Sequence, residues 1–453
     1  MTCNDLPRSW KMQERIKTLN SKWNLEQTPG DTFGVQQSIK ERLEIRLQAL
    51  IKNSSPNAAF KQNHKIQVKL SGDGTNIGKR LHVINVTFTI LDEGTKVMSA
   101  DENHLVVIIK ESEDYDKLAK SMADIRNDVE TETFKHVSVG TECFEIEWFL
   151  GGDWKFLACV CGLGAASASY PCIWCKCPLY AKYDGRKEWC LSDVLKGARS
   201  IQEIQQKTNG RSRAEERCNV KHTPLFPSIP LDHVVIDSLN LFLRISDNLI
   251  NLLILEFCRQ DSIDKKKTFN DGFERSKYQH MASLESYLNN ILKIPFHWFV
   301  CKDSKKLKWR DLTGPEKLKL FRNGNIGQVL PNHPKSGDIS QLWSRFLSIT
   351  NMLSSSGPQV SKEHIQQKYK SFLEKFLKLY QTKHVTPYMH SLVWHVPEFI
   401  ELYGKISPFT QQGLEKLNDK TTKYFFRSTN QRELDSLKQI VLKRNRVEYL
   451  EDI

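Results

Sequence analysis

The chain has 453 residues, which is enough for two or three domains with sizeable cores. Its hydrophobic content of 39%, with 10 Trp and 22 Phe, excludes disorder along most of its length, and no apolar run approaches the roughly 18 residues of a membrane span. Lys+Arg number 66 against 53 Asp+Glu, and the resulting net charge of +13 favours polyanionic partners, nucleic acid above all, although a generically soluble basic protein fits equally well.

Cysteine usage favours metal binding over disulfides. The chain has 11 cysteines, an odd number, and charged residues run through its first 25 positions. We therefore expect no secretory signal and no disulfide framework. Clustered cysteines with distant histidines favour a metal site instead.

The first segment, residues 1–60, is predicted to be a helical arm. Apolar residues recur at three- and four-residue spacing over 10–23 and 39–51, and NSSPN at 53–57 then breaks the pattern. The segment is too short and too charged for a large core of its own. We expect it to pack on the next segment or on DNA.

The second segment, residues 61–163, is predicted to be the first part of an RNase H-like core. Alternating β-branched runs predict strands at 65–70, 82–91, 105–109 and 144–150, with a helix at 115–126 before the last of them. The glycines of SGDGTNIGKR predict a turn between the first two strands. Three adjacent strands, a helix and a further strand follow the order of an RNase H-like sheet.

The remaining segments complete this prediction. Residues 164–385 are expected to form a mostly helical insertion that carries a zinc-binding CxxC, residues 386–430 to hold the zinc histidines and a closing core helix at 410–426, and residues 431–453 to form a C-terminal tail. The expected fold class is α/β: an RNase H-like mixed sheet flanked by helices and interrupted by a large, mostly helical zinc-binding insertion.

Three acidic residues are candidate catalytic ligands: Asp73 in LSGDGTN, Asp153 in FLGGDWKF and Glu415 in QQGLEKLN. The first and fourth strands of an RNase H-like sheet are neighbours, so the two aspartates could meet at the strand ends, with the glutamate on a helix laid across the sheet. Hard oxygen ligands of this kind hold a pair of Mg²⁺ (or Mn²⁺) ions for in-line phosphoryl transfer. Singly, each residue has a structural explanation: a turn residue, a helix N-cap and a solvated helix face, respectively.

Four further residues have the chemistry of a zinc site. Cys172 and Cys175 lie in YPCIWCKCP, and His390 and His395 lie in YMHSLVWHVPEF. The alternatives are a redox CxxC pair and two packed core histidines, and Cys177 is a substitute ligand. Four good ligands predict a structural Zn²⁺ that closes the insertion at its base, because a catalytic zinc keeps one coordination position open.

Basic residues interleaved with aromatic ones predict contact with nucleic acid, since lysines bind phosphates and aromatic rings stack on bases. A solvated helix face or loop is the simpler explanation of any single run. The candidate positions are Lys265, Lys266 and Lys267, and the cluster Lys302, Lys305, Lys306, Lys308 and Arg310 around Trp309.

Together these motifs resemble the catalytic core of Transib-type DNA transposases and of the related recombination-activating recombinase of V(D)J recombination. The resemblance is carried by SGDGTN with HVINVTFTIL, by GGDWKFLACVCGLGAASASYPCIWC, by LDHVVIDSLN, and by MHSLVWHVPEFIELYGKISPFTQQGLEKLNDKTTKYFFR. It covers residues 65–430, which is most of the chain.

The resemblance implies a role for each matched residue. Asp73, Asp153 and Glu415 match the metal-binding catalytic carboxylates, with Glu398 and Glu401 as competitors for the last position. The two cysteines and two histidines of the predicted zinc site match the family's zinc ligands. Trp343, in SQLWSRF, is similar to an aromatic residue that stacks on a base during hairpin formation.

The resemblance also implies an activity and its partners. The activity is Mg²⁺-dependent cleavage and transfer of DNA strands, in which the 3′-hydroxyl of a first nick attacks the opposite strand. The expected partners are double-stranded DNA at transposon ends and a second copy of the chain, and an accessory subunit is a further candidate. No membrane is involved, and the expected location is the nucleus.

Two other functions stay open. One is a transposon-derived, catalytically inactive DNA-binding or interaction protein that kept its zinc site; changing its aspartates to asparagine would then have no effect, although zinc would remain essential. The other is an RNase H-like nuclease that hydrolyses DNA without joining strands. The intact trio of carboxylates favours an active enzyme.

Overall fold

The computed structural model of the chain describes residues 9–55, 58–78, 81–131, 135–209, 213, 216–264, 268–269, 274–354 and 361–451. Within this described part, no helix has the length and apolar character needed to cross a membrane. The structure is mixed α/β and divides into two compact units. Unit 1 comprises Met1–Leu179, Trp189–Ser238 and Ile406–Ile453, and unit 2 comprises Tyr180–Glu188 and Leu239–Lys405.

Strands dominate the first third of the chain and helices the remainder. The described strands are β1 (Glu26–Gln27), β2 (Gly34–Gln36), β3 (Lys65–Ile77), β4 (Leu81–Ile90), β5 (His104–Ile109), β6 (His136–Val139), β7 (Glu142–Gly152), β8 (Trp298–Val300) and β9 (Leu307–Trp309). The described helices are α1 (Ser9–Asn20), α2 (Ile39–Asn53), α3 (Ala59–Asn63), α4 (Tyr115–Ser121), α5 (Ala123–Glu130), α6 (Trp154–Val160), α7 (Ile201–Asn209), α8 (Ser238–Gln260), α9 (Gln279–Ser286), α10 (Gly314–Asn323), α11 (Ile326–Val329), α12 (Ser336–Ser354), α13 (Lys362–Leu379), α14 (Pro387–Trp394), α15 (Val396–Tyr403), α16 (Gln412–Ser428) and α17 (Glu433–Glu451).

Unit 1 is built on one mixed sheet of seven strands, in the order β1-β2-β5-β4-β3-β7-β6. β3, β4 and β5 pair antiparallel, as expected for consecutive strands joined by short connections. β7 follows α4 and α5 and pairs with β3 in parallel, so the strands expected first and fourth are neighbours. The predicted α/β class and the four predicted central strands are confirmed.

The strand that carries Asp73 is longer than predicted. The predicted strand ends at Leu70, because the glycines after that residue favour a turn. In the structure β3 runs on to Ile77, and Asp73 pairs with Asn85 of β4. The chain leaves the strand only at Gly78, whose φ of +65° suits glycine.

The N-terminal segment is more than the predicted helical arm, because it also supplies two strands of the main sheet. β2 pairs antiparallel with β5, and β1 pairs with β2. Strands of two and three residues are too short to show an alternating pattern in the sequence. α1 and α2 agree with the predicted helices.

The segment predicted as a C-terminal tail forms α17, which belongs to the core of unit 1. Its Leu437 and Ile440 are buried in the same apolar cluster as Val35 of β2 and Leu414 of α16. Polar contacts join the same elements: Asn445 Nδ2 donates to Gln37 Oε1 at 2.8 Å. Arg42 of α2 also forms a buried ion pair with Glu448.

Unit 2 is mainly helical, from α8 to α15, with one short hairpin, β8–β9. Aromatic side chains fill its interior: the rings of Phe242 and Phe346 stack at 6.0 Å, and Phe346 contacts Phe372 at 5.8 Å. α8, and α9 with the π-helical turn Tyr287–Ile291 that follows it, lie in the segment predicted to be mostly helical. The hairpin was not predicted.

Candidate active site and candidate metal centre

The register of two parallel strands brings Asp73 and Asp153 to one place in the sheet. The last paired residues of β3 and β7 are Gly72 and Gly152, which lie opposite each other. Each aspartate follows its glycine directly in the sequence. The two carboxylates therefore extend from adjacent positions, one within β3 and one directly after β7, and their proximity was predicted from the sequence.

The paired glycines allow α6 to approach β3 and the end of β7 closely. A Cβ atom at Gly72 would lie 2.1 Å from the ring of Phe156, and one at Gly152 would lie 2.6 Å from the same ring. Real Cβ atoms do not approach other atoms so closely, so only glycine fits at either position. The ring of Phe156 thus lies over both glycines and fixes the start of the helix that Asp153 precedes.

Asp153 is the N-cap of α6, the structural role considered from the sequence. Its Oδ1 accepts a hydrogen bond from the backbone N–H of Phe156 at 2.8 Å. Such a bond orients the carboxylate and satisfies one of the free N–H groups at the helix start. Capping uses one oxygen of Asp153, and a carboxylate has lone pairs for further ligands.

Glu415 lies in the first turn of α16, where its side chain is exposed. Three residues further on, and so on the same face of the helix, Asn418 Nδ2 donates to Asp73 Oδ2 at 2.6 Å. Asn418 Oδ1 in turn accepts from Asn85 Nδ2 at 2.7 Å. This buried chain of three side chains holds the helix that bears Glu415 against β3 and β4.

A fourth carboxylate, that of Glu113, was not predicted from the sequence. Its Oε1 accepts from the backbone N–H of Gly74 at 2.9 Å, and its Oε2 pairs with Lys155 Nζ at 2.7 Å. A Cβ at Gly74 would lie 2.9 Å from Glu113 Oε1, so the small residue next to Asp73 makes room for this contact. Glu113 follows β5 in a short polar stretch, and no motif marks it.

The pKa of Asp73 reflects the acids around it. Burial first, then the charges of Asp153, Glu113 and Glu415, raise the pKa of Asp73 from 3.8 to about 7, against the opposing hydrogen bond from Asn418. The site thus concentrates negative charge around Asp73. Such a group of hard oxygen donors suits a divalent cation, which would lower the mutual repulsion.

The carboxylates are nevertheless spread more widely than the ligands of a single small ion. Among the described residues, they do not form a set in which all ligand atoms lie within 4.8 Å of one another.

A buried lysine of β3 holds the residues that precede α16. Lys69 of β3 donates from Nζ to the carbonyl oxygen of Thr410 at 2.7 Å. Asp237 Oδ1 accepts from the backbone N–H of Gln411, the N-cap of α16, at 2.9 Å. Burial lowers the pKa of Lys69 to about 8, while the charge of Asp237 opposes the shift. Lys69 and Asp237 were not singled out from the sequence.

The four predicted zinc ligands come together. The ligand atoms of Cys172, Cys175, His390 and His395 all lie within 4.8 Å of one another, and each side chain is buried. Two thiolates and two imidazoles in a dry environment are the donor set of a tetrahedral zinc site. The cluster could bind Zn²⁺. Cys177, the predicted substitute, is buried nearby in sequence but is not part of it.

Arg199 supports the loop that carries the two cysteines. Its Nε donates to the carbonyl oxygens of Cys172 and Cys175 at 3.1 and 3.0 Å, and its side chain is almost fully buried. Trp174, between the cysteines, donates from Nε1 to Val234 O at 2.7 Å. These bonds hold the CxxC backbone in one conformation.

The predicted DNA contacts fall in two different environments. Lys302, Lys305 and Lys306 are exposed on the turn of the β8–β9 hairpin, and Lys308 is exposed beside them. Trp343 is only 3% exposed and its ring lies 4.4 Å from that of Phe321, so a base-stacking role is not supported by its position. The run Lys265–Lys267 lies outside the described residues.

The alternative acids Glu398 and Glu401 both form ion pairs with Lys362, at 3.8 and 2.7 Å. Neither is among the charges that shift the pKa of Asp73, whereas Glu415 is. Glu415 is therefore the better candidate for the third carboxylate.

Comparison with known proteins leaves the family open. No protein-family model matches the chain. No curated protein matches it significantly either. The resemblance that the motifs carry therefore remains an expectation.

Proposed function

We propose that the chain is a DDE-type polynucleotidyl transferase with an RNase H-like core, which cleaves and transfers DNA strands in the manner of Transib-type transposases. The observation that carries this proposal is the grouping of Asp73, Asp153, Glu113 and Glu415 where β3 passes the end of β7. The net charge of +13 supports a polyanionic substrate.

In this proposal the carboxylates bind the cations, and the neighbouring groups hold the carboxylates. A bound pair of Mg²⁺ or Mn²⁺ ions would supply activation of the attacking hydroxyl and stabilisation of the leaving oxygen. Asn418 orients Asp73, and the cap bond to Phe156 orients Asp153. Glu113 binds Lys155, which keeps one positive charge beside the cluster.

The proposed protein also has a structural zinc site and a DNA partner. Cys172, Cys175, His390 and His395 would bind a structural zinc whose binding energy contributes to folding. The substrate would be double-stranded DNA at transposon ends, bound in the nucleus by a homodimer. Exposed lysines of the β8–β9 hairpin would contact phosphates.

The test is cleavage of radiolabelled double-stranded DNA, including a pre-nicked end, with Mg²⁺ or Mn²⁺ and with neither ion. Products that appear only with a divalent cation, and that disappear in Asp73→Asn, support the proposal. Asp419→Asn is the matched control, because Asp419 is exposed on the helix that bears Glu415. Cleavage that survives Asp73→Asn contradicts it.

The same assay separates the two alternatives. Hydrolysis without joining of the pre-nicked end indicates a nuclease. Equal DNA binding by the parent and by Asp73→Asn, with no cleavage by either, indicates an inactive DNA-binding protein that kept its zinc site. This second outcome is consistent with one observation: among the described residues, the carboxylates do not form a set with all ligand atoms within 4.8 Å of one another.

A further inference from the structure

A second cluster of metal-binding side chains lies in unit 1, apart from the candidate active site and the four predicted zinc ligands. The ligand atoms of Glu93, Glu102 and His104 all lie within 4.8 Å of one another. Glu93 follows β4, while Glu102 and His104 lie at the start of β5, so a strand connection brings them together. Glu93 and Glu102 line a cavity of about 260 Å³, which has room for water molecules.

The hydrogen bonds of His104 leave one ring nitrogen as a free acceptor. Nδ1 lies 3.1 Å from Glu448 Oε2, and Glu448 is ionised because Arg42 and Arg444 both bind it. An ionised carboxylate only accepts, so Nδ1 carries the hydrogen. Nε2 then has a lone pair, and it has no hydrogen-bond partner within the described part of the chain.

That lone pair faces another acceptor. His104 Nε2 lies 3.9 Å from Glu102 Oε2, and His104 is only 1% exposed. A buried nitrogen lone pair without a donor is unfavourable, and a cation between it and the carboxylate would satisfy both. Metal–nitrogen and metal–oxygen bonds are each about 2.0–2.2 Å, so one ion can span this separation.

We propose that Glu93, Glu102 and His104 bind a divalent transition-metal ion of the Mn²⁺ or Zn²⁺ class, independently of the candidate active site. Two carboxylates and one imidazole are a donor set for such ions, with water from the cavity completing the coordination. Glu448 then has the role of the carboxylate that orients a ligating histidine from behind.

Arg46 is the neighbouring group that competes with such an ion. It binds Glu93 Oε1 at 2.8 Å and also contacts Glu102 Oε2. Glu102 Oε2 faces both Arg46 and His104, whereas Glu93 Oε2 has no hydrogen-bond partner among the described residues. The arginine therefore offsets part of the negative charge, and Glu93 keeps an oxygen for the cation.

The test is electron spin-echo spectroscopy of Mn²⁺ bound to the full chain, purified with its zinc in place. His82 Nε2 lies beside Gly74, since a Cβ at that glycine would be 3.1 Å from it, so ¹⁴N modulation of bound Mn²⁺ is assigned to the second cluster only where it persists in His82→Gln. We expect this modulation in the parent and in Asp73→Asn. We expect it to vanish in His104→Gln, and Mn²⁺ affinity at this site to fall at least about 10-fold in Glu102→Gln.

Each outcome decides the matter. Absence of ¹⁴N modulation in the parent shows that a proton shared by the glutamates, or Arg46 alone, satisfies the cluster. Modulation that persists in His104→Gln comes from another histidine and likewise overturns the proposal. Glu102→Gln preserves the shape of its side chain, so its melting temperature shows whether a loss of binding reflects loss of the fold.

Discussion

Asn418 donates a 2.6 Å hydrogen bond to Asp73 across a sequence separation of 345 residues. Its own amide oxygen accepts from Asn85, which is fully buried. A single side chain therefore connects the helix that carries Glu415 to two adjacent strands. The geometry of the candidate active site depends on it.

Replacing Asn418 by alanine is expected to lower both stability and activity. The change leaves the buried amide of Asn85 without its acceptor, which costs about 1–3 kcal/mol in the free energy of unfolding. Urea denaturation measures this loss. Asn290→Ala removes an exposed asparagine and should cost little. Equal losses in the two variants would contradict the proposed role of Asn418.

Replacing Asp73 by asparagine is expected to stabilise the protein at neutral and alkaline pH in buffer without Mg²⁺. A carboxyl whose pKa rises on folding contributes stability that is complete below its unfolded pKa and is lost as the pH rises through its folded pKa. For Asp73 this window runs from 3.8 to about 7.

The advantage of Asp73→Asn over the parent should therefore grow between pH 4 and pH 8, by at most about 4 kcal/mol. Unfolding at several pH values, with zinc retained, measures it. Added Mg²⁺ should reduce the difference in unfolding free energy between the variant and the parent at pH 8, because a cation stabilises only the ionised parent. If this difference does not change with pH, burial and neighbouring charges do not raise the pKa of Asp73.

Replacing Gly72 by alanine is expected to disrupt the start of α6. The new Cβ would lie 2.1 Å from the ring of Phe156, and relieving that overlap should cost about 3 kcal/mol or more. Gly337→Ala is the control, since its Cβ would have no neighbour within 4 Å. Combining Gly72→Ala with Phe156→Leu should recover part of the loss in melting temperature.

Cys175 and Cys177 are both buried but should respond differently to replacement. Only Cys175 belongs to the four-ligand cluster. Cys175→Ser should lower the zinc content by one ion per chain and destabilise the fold by several kcal/mol at roughly neutral pH. Cys177→Ser should retain the zinc. Elemental analysis and thermal unfolding measure both effects, and zinc loss from both variants would place Cys177 in the site.

Reversing the charge of Lys302, Lys305 and Lys306 is expected to weaken DNA binding and to reduce its dependence on salt. Each lost phosphate contact lowers the slope of log K against log salt by about 1. Fluorescence anisotropy across a salt series measures the slope. Three other exposed lysines, Lys368, Lys383 and Lys405, provide a control with the same change in net charge.

The sequence predicted those features that depend on local pattern. Strong alternation identified the central strands, and the CxxC and histidine pairs identified the four residues that the structure brings together. Asp153 was predicted both as a site residue and as an N-cap, and it is the N-cap. Its catalytic role remains a prediction.

The remaining features depend on contacts between distant parts of the chain. The role of Glu113 depends on its contact with Gly74 of β3, and that of Asn418 depends on the packing of α16 against the same strand. Nothing beside either residue in the sequence indicates these contacts. Trp343 had a plausible motif, but its ring is buried against Phe321, a contact that periodicity does not specify. The strand β2 has three residues and no readable period.

The bond between Gln37 and Asn445 has a consequence for folding during synthesis. Residues from opposite ends of the described chain share one core, whereas Leu239–Lys405 is a continuous stretch within unit 2. The ribosome therefore releases that stretch before α17 has been synthesised. Until then, the apolar residues of unit 1 that pack against Leu437 and Ile440 are not covered by them. Nascent unit 1 is thus a substrate for chaperones until α17 has emerged, and a ribosome stalled before Glu433 should carry a protease-sensitive sheet.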